Sequence, residues 1–153
     1  MWPFGRRAKS QAPPRAGAPA GGGPSRREKD TGRLGRLGEK LARRELRKHG
    51  LKVLAENYRC PTGEADLIAL DPSTRKDLGA ETIAFVEVKT RTSDRYTPPE
   101  SAVNADKRRR MRKVADYYLS RRRVEAFHVR FDIVSIVIRD GQEPEIRYIP
   151  GAF

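Results

Sequence analysis

A glutamate and a lysine interrupt an apolar stretch near the middle of the chain. Glu87 and Lys89 lie in the run IAFVEVKTR at positions 83–91, whose β-branched and aromatic residues predict a buried or half-buried strand. Side chains alternate between the two faces of a strand, so both charged groups emerge on the same face. Charges on an apolar strand are costly unless they are paired or bind a metal. Asp66 repeats this anomaly in the run GEADLIAL at positions 63–70.

These residue types suit metal-dependent hydrolysis of a phosphodiester. If Asp66 and Glu87 occupy neighbouring positions on adjacent strands, their carboxylates can bind one divalent cation. Carboxylate oxygens favour Mg²⁺ or Mn²⁺, with water completing the coordination shell. Such a metal polarises a phosphate and generates or orients a hydroxide nucleophile. Lys89 can then stabilise the developing negative charge or orient the attacking water.

Simpler structural roles stay open for the same residues. Glu87 and Lys89 would form a solvent-exposed ion pair of little energetic value if their strand lay at the edge of a sheet. Asp66 would cap a turn. Glu64, which regular alternation places on the same strand face as Asp66, either lines the site or shapes the turn at Gly63. Asp132 is predicted to be structural, bonded to a backbone amide or to an arginine.

Length and charge limit the class of protein. The chain has 153 residues, enough for one domain with a substantial core. The net charge of +13 favours a polyanionic partner, which binds with release of phosphate counterions. A single cysteine excludes an intramolecular disulfide and a cysteine-based zinc site, and no run approaches the ~20 apolar residues of a membrane span. We therefore expect a cytoplasmic protein whose partner is nucleic acid, with DNA favoured, and not a membrane.

Composition divides the chain into an arm and a domain. Residues 1–31 are rich in Pro, Gly, Ala and Arg and are predicted to be a disordered basic arm, while residues 32–153 are predicted to form a single domain. Within it, periodicity and turn signals predict helices over 34–49 and 104–121, the second capped by Asn104, and polar loops over 71–81 and 92–100. Strands are predicted over 51–59, 64–70, 83–91, 127–138 and 145–149. The order αβββαββ is typical of an α+β protein, an α/β/α sandwich around a mixed sheet.

A dense run of cations occupies the first half of the second predicted helix. Its members, together with an arginine at the end of the third strand, are candidates for contacts with nucleic-acid phosphates: Arg91, Lys107, Arg108, Arg109, Arg110 and Arg112. Such a run is usually a solvated helix face. In a chain of this net charge, a contact with the DNA backbone is an equally good interpretation.

The ordered set of motifs resembles a known nuclease superfamily. Asp66, with Glu87-Val88-Lys89 downstream and Glu39 on a preceding helix, resembles the PD-(D/E)XK pattern, although Ala65 stands where that pattern has proline. A closer similarity, to the small bacterial YraN-like family of predicted endonucleases, covers roughly residues 33–153. It rests on the segments GRLGE (35–39), NYR (57–59), GEADLI (63–68), FVEVKTR (85–91) and RFD (130–132), with Val103, Lys107, Ala115 and Phe153.

The resemblance implies a restriction-endonuclease-like fold and a Mg²⁺- or Mn²⁺-dependent endonuclease. It implies Asp66 and Glu87 as metal ligands, the Val88 carbonyl as a third ligand, Lys89 as the catalytic lysine and Glu39 as a helix residue that points into the site. Similarity to archaeal Holliday-junction resolvases implies structured or branched DNA as the substrate, and a homodimer. The alternative function is a non-catalytic nucleic-acid-binding module on a nuclease fold.

Overall fold

A five-stranded mixed sheet is packed between two long helices. The computed structural model describes residues 26–92, 103–122 and 127–153, with the backbone alone described over 26–30. Its elements are α1 (Arg26–Lys48), β1 (Lys52–Cys60), β2 (Gly63–Asp71), α2 (Arg75–Leu78), β3 (Thr82–Arg91), α3 (Ala105–Ser120), β4 (His128–Val137) and β5 (Glu145–Ile149). The α+β class and the predicted mixed sheet are confirmed.

The element bounds differ from the prediction at two places. Helix α1 begins at Arg26 rather than at Leu34, so its first residues fall in the segment predicted to be a disordered arm. Arginine, glutamate and lysine are good helix formers, which an apolar periodicity does not register. The predicted polar loop over 71–81 contains the single turn of α2, which ends at Gly79 with φ 75°. Residues 1–25 and most of the predicted loop over 92–100 lie outside the described residues.

The sheet order follows the chain order, β1-β2-β3-β4-β5. The pairs β1–β2, β2–β3 and β4–β5 are antiparallel, whereas β3 and β4 are parallel. Parallel neighbours need a crossover connection, and α3 lies on that connection. In the order of the five strands, β3 is the middle one and has a paired neighbour on each side.

Alternation along β3 divides its apolar residues between two cores. Ala84 and Val86 belong to the core beneath α1, which also contains Ala42 and Leu46 of that helix. On the opposite face, Phe85 packs with residues of α3, and the members of that core from α3 are Met111, Val114, Ala115 and Tyr118. Alternation places Glu87 and Lys89 on the same face of β3 as Phe85, the face covered by α3.

Helix α1 contacts β3 through a glycine. A Cβ atom on Gly38 would lie 1.9 Å from Thr90 Oγ1, far inside van der Waals contact. The absence of a side chain at this position lets the helix backbone approach the end of β3. This close approach brings the following residue, Glu39, to the same end of the strand.

Replacing Gly38 with alanine is therefore expected to destabilise the fold. Forcing a methyl group into this contact should lower the free energy of unfolding by about 1–3 kcal/mol. The matched control is Gly35→Ala in the same helix, where the new Cβ meets nothing within 4 Å and higher helix propensity should raise stability by about 0.5–1 kcal/mol. Urea unfolding followed by circular dichroism measures both. Equal shifts of the two variants would contradict the close-approach explanation.

A buried ionic network joins β2, β4 and β5. Asp132 is fully buried and accepts hydrogen bonds from Arg130 Nε at 2.9 Å, Tyr148 Oη at 2.7 Å and Gly151 N at 2.9 Å. Arg130 also donates to Asp71 Oδ2 at 3.0 Å. The predicted structural role of Asp132 is confirmed, with both an arginine and a backbone amide as partners.

Truncating this network at its buried carboxylate should be costly. Asp132→Ala leaves the Arg130 guanidinium partly buried with Asp71 as its remaining carboxylate, and we expect a loss of about 3–5 kcal/mol in unfolding free energy. Tyr148→Phe removes a single hydroxyl and should cost about 1 kcal/mol. Chemical denaturation of the two variants tests the ranking, and the reverse order would show that the network is not centred on Asp132.

Candidate active site

The two central strands separate at the position of the predicted acidic pair. Pairing of β2 with β3 runs from Asp71–Thr82 to Leu67–Val86, and the same register carried one step further would place Asp66 opposite Glu87. Instead, the Asp66 side chain turns into the sheet, where Oδ2 accepts a hydrogen bond from the Val88 backbone N–H at 2.7 Å. The Asp66 carboxylate thus accepts the hydrogen bond of a β3 backbone N–H that points toward β2. The predicted adjacency of these two strands is confirmed.

Strand β2 is irregular just before this point. Ala65 packs in the same core as Ile68, beneath α3, although residues three apart point to opposite faces of a regular strand. Regular alternation along β2 would place Ile68 on the same face as Glu64 and Asp66. This prediction is wrong, because Leu67 belongs to the opposite core and the alternation breaks between Ala65 and Leu67. Glu64 is exposed, and its Oε2 lies 3.6 Å from Arg59 Nε.

Glu87 is a buried carboxylate held between two lysines. Its side chain is 6% exposed, Lys89 Nζ lies 2.9 Å from Oε1, and Lys107 Nζ of α3 lies 3.0 Å from Oε2. The contact to Lys107 has the distance of an ion pair without hydrogen-bond alignment, so Oε2 receives no hydrogen bond from the described residues. The predicted common face of Glu87 and Lys89 is confirmed, and the alternative of a solvent-exposed edge pair is wrong.

Burial and a neighbouring negative charge disfavour ionisation of Asp66. Desolvation, followed by repulsion from Glu87, raises the pKa of Asp66 from 3.8 to about 6, against the opposing effects of the Val88 N–H and of Lys107. Glu39 also contributes to the raised pKa. Asp66 therefore lies within electrostatic range of Glu87 and Lys107 on one side and of Glu39 on the other.

Glu39 reaches the site from α1. A cavity of about 220 Å³ between this helix and the sheet is lined by Glu39, Asp66 and Val88, among others. Asn57 Nδ2 donates a hydrogen bond to Glu39 Oε2 at 3.0 Å, from a backbone with φ 48°. Sequence reasoning gave Asn57 no role; the signal available was that asparagine tolerates this left-handed conformation better than most residues.

The cations of the predicted basic run differ in what their side chains contact. Lys107 contacts Glu87, whereas Arg108 donates from Nε to the Val103 carbonyl at 3.0 Å and lies over the Phe153 ring. Arg110 lines a second cavity, which also contains Glu64 and Lys107. The remaining cations lie at exposed or partly exposed positions: Arg91 at the end of β3, and Arg109 and Arg112 on α3. Their predicted contact with nucleic acid stays a prediction.

A two-carboxylate site suits a cation that keeps most of its water. Among residues 31–92, 103–122 and 127–153, no group of three or more His, Cys, Asp or Glu side chains is arranged to hold a metal ion. Mg²⁺ is commonly bound by one or two carboxylates, with water in its other positions. A raised pKa at Asp66 and a buried Glu87 oxygen without a hydrogen bond from the described part of the chain are both features that a bound cation would relieve. The residues present therefore fit Mg²⁺ or Mn²⁺.

The fold and site define an α+β protein in which a partly buried aspartate and a buried glutamate lie where the pairing of β2 with β3 ends. The chain belongs to uncharacterised protein family UPF0102, whose sequence model matches residues 38–136. A UPF0102 protein of Solibacter usitatus is 47% identical over 121 residues, covering 78% of this chain and 84% of the relative. Another, of Geobacter metallireducens, is 44% identical over 120 residues and covers 78% and 91% of the two chains. The predicted YraN-like family is confirmed.

None of the three helices in the described part of the chain combines the length and the apolar character that crossing a bilayer demands.

The raised pKa of Asp66 predicts a pH-dependent gain in stability for Asp66→Asn. Ionising Asp66 costs the folded state more than the unfolded state, so its contribution to stability falls as the pH rises from 3.8 to about 6 and is constant above. Asparagine keeps an acceptor for the Val88 N–H and removes this cost, worth about 1–3 kcal/mol. We expect the variant to match the wild type near pH 4 and to exceed it increasingly up to pH 6–7.

Urea unfolding at several pH values between 4 and 8, without divalent cations, measures this difference. Asp106→Asn is the control, because it makes the same chemical change at an exposed residue near the start of α3, and the gain at Asp66 should exceed its effect. A gain at Asp66 that did not vary with pH would contradict the assignment of the raised pKa.

Proposed function

We propose that this protein is a metal-dependent endonuclease of the PD-(D/E)XK type, acting on phosphodiester bonds in structured or branched DNA. The observation that carries the proposal is that Asp66 and Glu87 both lie directly after the last β2–β3 pair, close enough for Glu87 to raise the pKa of Asp66, with Lys89 Nζ at 2.9 Å from Glu87. A buried and a partly buried carboxylate side by side among lysines are costly to maintain for stability alone. A carboxylate whose pKa is raised by desolvation and by a neighbouring charge, as that of Asp66 is, is typical of functional sites.

Asp66, Glu87 and the Val88 carbonyl would hold the metal. In a strand, the N–H and C=O of one residue point to the same side, and the Val88 N–H points to Asp66. The Val88 carbonyl therefore faces the gap between the strands, as a ligand must. When bound, Mg²⁺ or Mn²⁺ supplies an activated water and neutralises charge on the phosphate.

The remaining site residues have roles that follow from their positions. Lys89 keeps its ammonium at the Glu87 carboxylate and can stabilise the negative charge that develops on a phosphate attacked there. Glu39, oriented by Asn57, lines the opening on the α1 side next to Asp66 and can accept a proton from water or bind it. Asp66, with a pKa of about 6, is ionised and ready to bind a cation at neutral pH.

The alternative function, a non-catalytic nucleic-acid-binding module, accounts for the net charge of +13 equally well. It does not account for the acidic pair, because binding of phosphate gains nothing from two carboxylates placed among cations. The choice of branched DNA and of a homodimer rests on the similarity to archaeal Holliday-junction resolvases. Cleavage of two strands at symmetric positions requires two such sites.

A cleavage assay on linear, flapped, single-stranded and four-way-junction DNA tests the proposal. With Mg²⁺ or Mn²⁺ the wild type should cut at least one substrate, and EDTA should abolish the cut. Asp66→Asn and Glu87→Gln should each lower the rate by roughly 10²–10³-fold or more, while binding is kept or improved because a negative charge near phosphate is removed. Glu145→Gln on edge strand β5 makes the same charge change at an exposed position and is the control.

Each alternative has its own outcome in this assay. Normal cleavage by Glu87→Gln would exclude the proposed site even if the protein is a nuclease. Binding of every substrate without cleavage by the wild type, and with equal affinity in all four proteins, would instead favour the non-catalytic module.

A further inference from the structure

A second cavity lies next to the acidic pair, on the α3 side of the sheet. It has a volume of about 360 Å³ and is formed by the turn between β1 and β2 and by the first half of α3. Its polar lining consists of Arg59, Glu64, Lys107 and Arg110, with Gly63 and Met111 among the residues that complete the wall. Three cations thus face one carboxylate.

The turn that forms one wall is seated directly on α3. Gly63 has φ 148°, and a Cβ atom there would lie 3.1 Å from Val114 Cγ2 and 3.9 Å from Arg110 Cβ. Val114 is itself fully buried. The spacing between the turn and the helix, and with it the width of the cavity, is therefore set by packing against the core.

Of the three cations in the cavity, Lys107 is paired with Glu87, whereas Arg59 and Arg110 have only long contacts with acceptors. Glu64 Oε2 lies 3.6 Å from Arg59 Nε, which is beyond hydrogen-bond distance, and both side chains are largely exposed. Arg110 Nε lies 3.5 Å from the Asp106 carbonyl, a long contact. Arginine guanidinium groups in such a position can bind the oxygens of a phosphate in pairs.

Lys107 connects this cavity with the acidic pair. Its Nζ lies 3.0 Å from Glu87 Oε2, and its side chain is part of the cavity lining. We propose that the cavity binds a backbone phosphate of a nucleic-acid strand, adjacent to the phosphodiester held at Asp66 and Glu87, with Arg59 and Arg110 as its main contacts. The identity of the ligand as a nucleic-acid strand rests on the proposed function, whereas the anion site itself rests on the cavity.

Glu64 opposes an anion in this cavity and can turn away, because its side chain is 59% exposed. Removing its charge should therefore tighten binding. Arg110→Gln should weaken anion binding. The two substitutions should therefore change the affinity of the same cavity in opposite directions. Lys113→Gln, also exposed on α3 but outside the cavity lining, makes a comparable charge change and serves as the control.

The test is an NMR titration of the ¹⁵N-labelled full chain with the tetranucleotide dT4 in EDTA, so that binding is read without cleavage. We expect chemical-shift changes at the Gly63 and Met111 amides. Arg110→Gln should weaken dT4 binding roughly tenfold and lower the slope of log K against log[salt] by about 0.7. Glu64→Gln should strengthen binding, and Lys113→Gln should change it by less than about twofold.

The outcomes separate the cavity from the proposed nuclease. Binding of dT4 without shift changes at the Gly63 and Met111 amides, or equal weakening by Arg110→Gln and Lys113→Gln, would overturn the cavity as a phosphate site. Inorganic phosphate binding there as tightly as dT4 would overturn the assignment to a nucleic-acid strand. The titration contains no metal, so its result does not depend on whether the protein cleaves DNA. Conversely, absence of dT4 binding at the cavity would not change the interpretation of the cleavage assay.

Discussion

The hydrogen bond from the Val88 N–H to the Asp66 carboxylate is the interaction on which the rest of the site depends. The last backbone pair between β2 and β3 is Leu67–Val86. Beyond it, the Val88 N–H of β3 donates to a side-chain carboxylate instead of to a backbone carbonyl of β2. The sheet opens between its two central strands instead of at an edge. The buried Glu87 carboxylate and the partly exposed Lys89 ammonium lie directly after this point, where reduced contact with water strengthens electrostatic interactions.

Two polar groups within the sheet differ in how well they are satisfied. Asp132 is fully buried and accepts hydrogen bonds from Arg130, Tyr148 and the Gly151 backbone, which is the pattern of a structural network. Glu87 is nearly as buried but is held by two lysines, and its Oε2 has the Lys107 ammonium at 3.0 Å without a hydrogen bond from any described residue. The proposed metal site would explain both this arrangement and the raised pKa of Asp66.

The two helices contribute to the gap in different ways. Helix α1 approaches because Gly38 has no side chain to meet Thr90, and so presents Glu39. Helix α3 is anchored by its buried apolar face and begins at the predicted cap Asn104, whose side chain accepts from the Lys107 N–H at 2.9 Å. The cap and the core together direct the Lys107 ammonium to Glu87. The site is thus assembled from opposite faces of the sheet.

The five strands, most of the two long helices and the common face of Glu87 and Lys89 could be predicted from residue patterns alone, because alternation and helical periodicity are local properties of the chain. The same patterns also identified Asp66 as anomalous among apolar neighbours. Four features became visible only in the folded chain: the end of the β2–β3 pairing, the break in alternation after Ala65, the hydrogen bond from Asn57 to Glu39, and the division of the basic run of α3 between Glu87, Phe153 and solvent. These features depend on contacts between residues far apart in the chain, which no local pattern specifies.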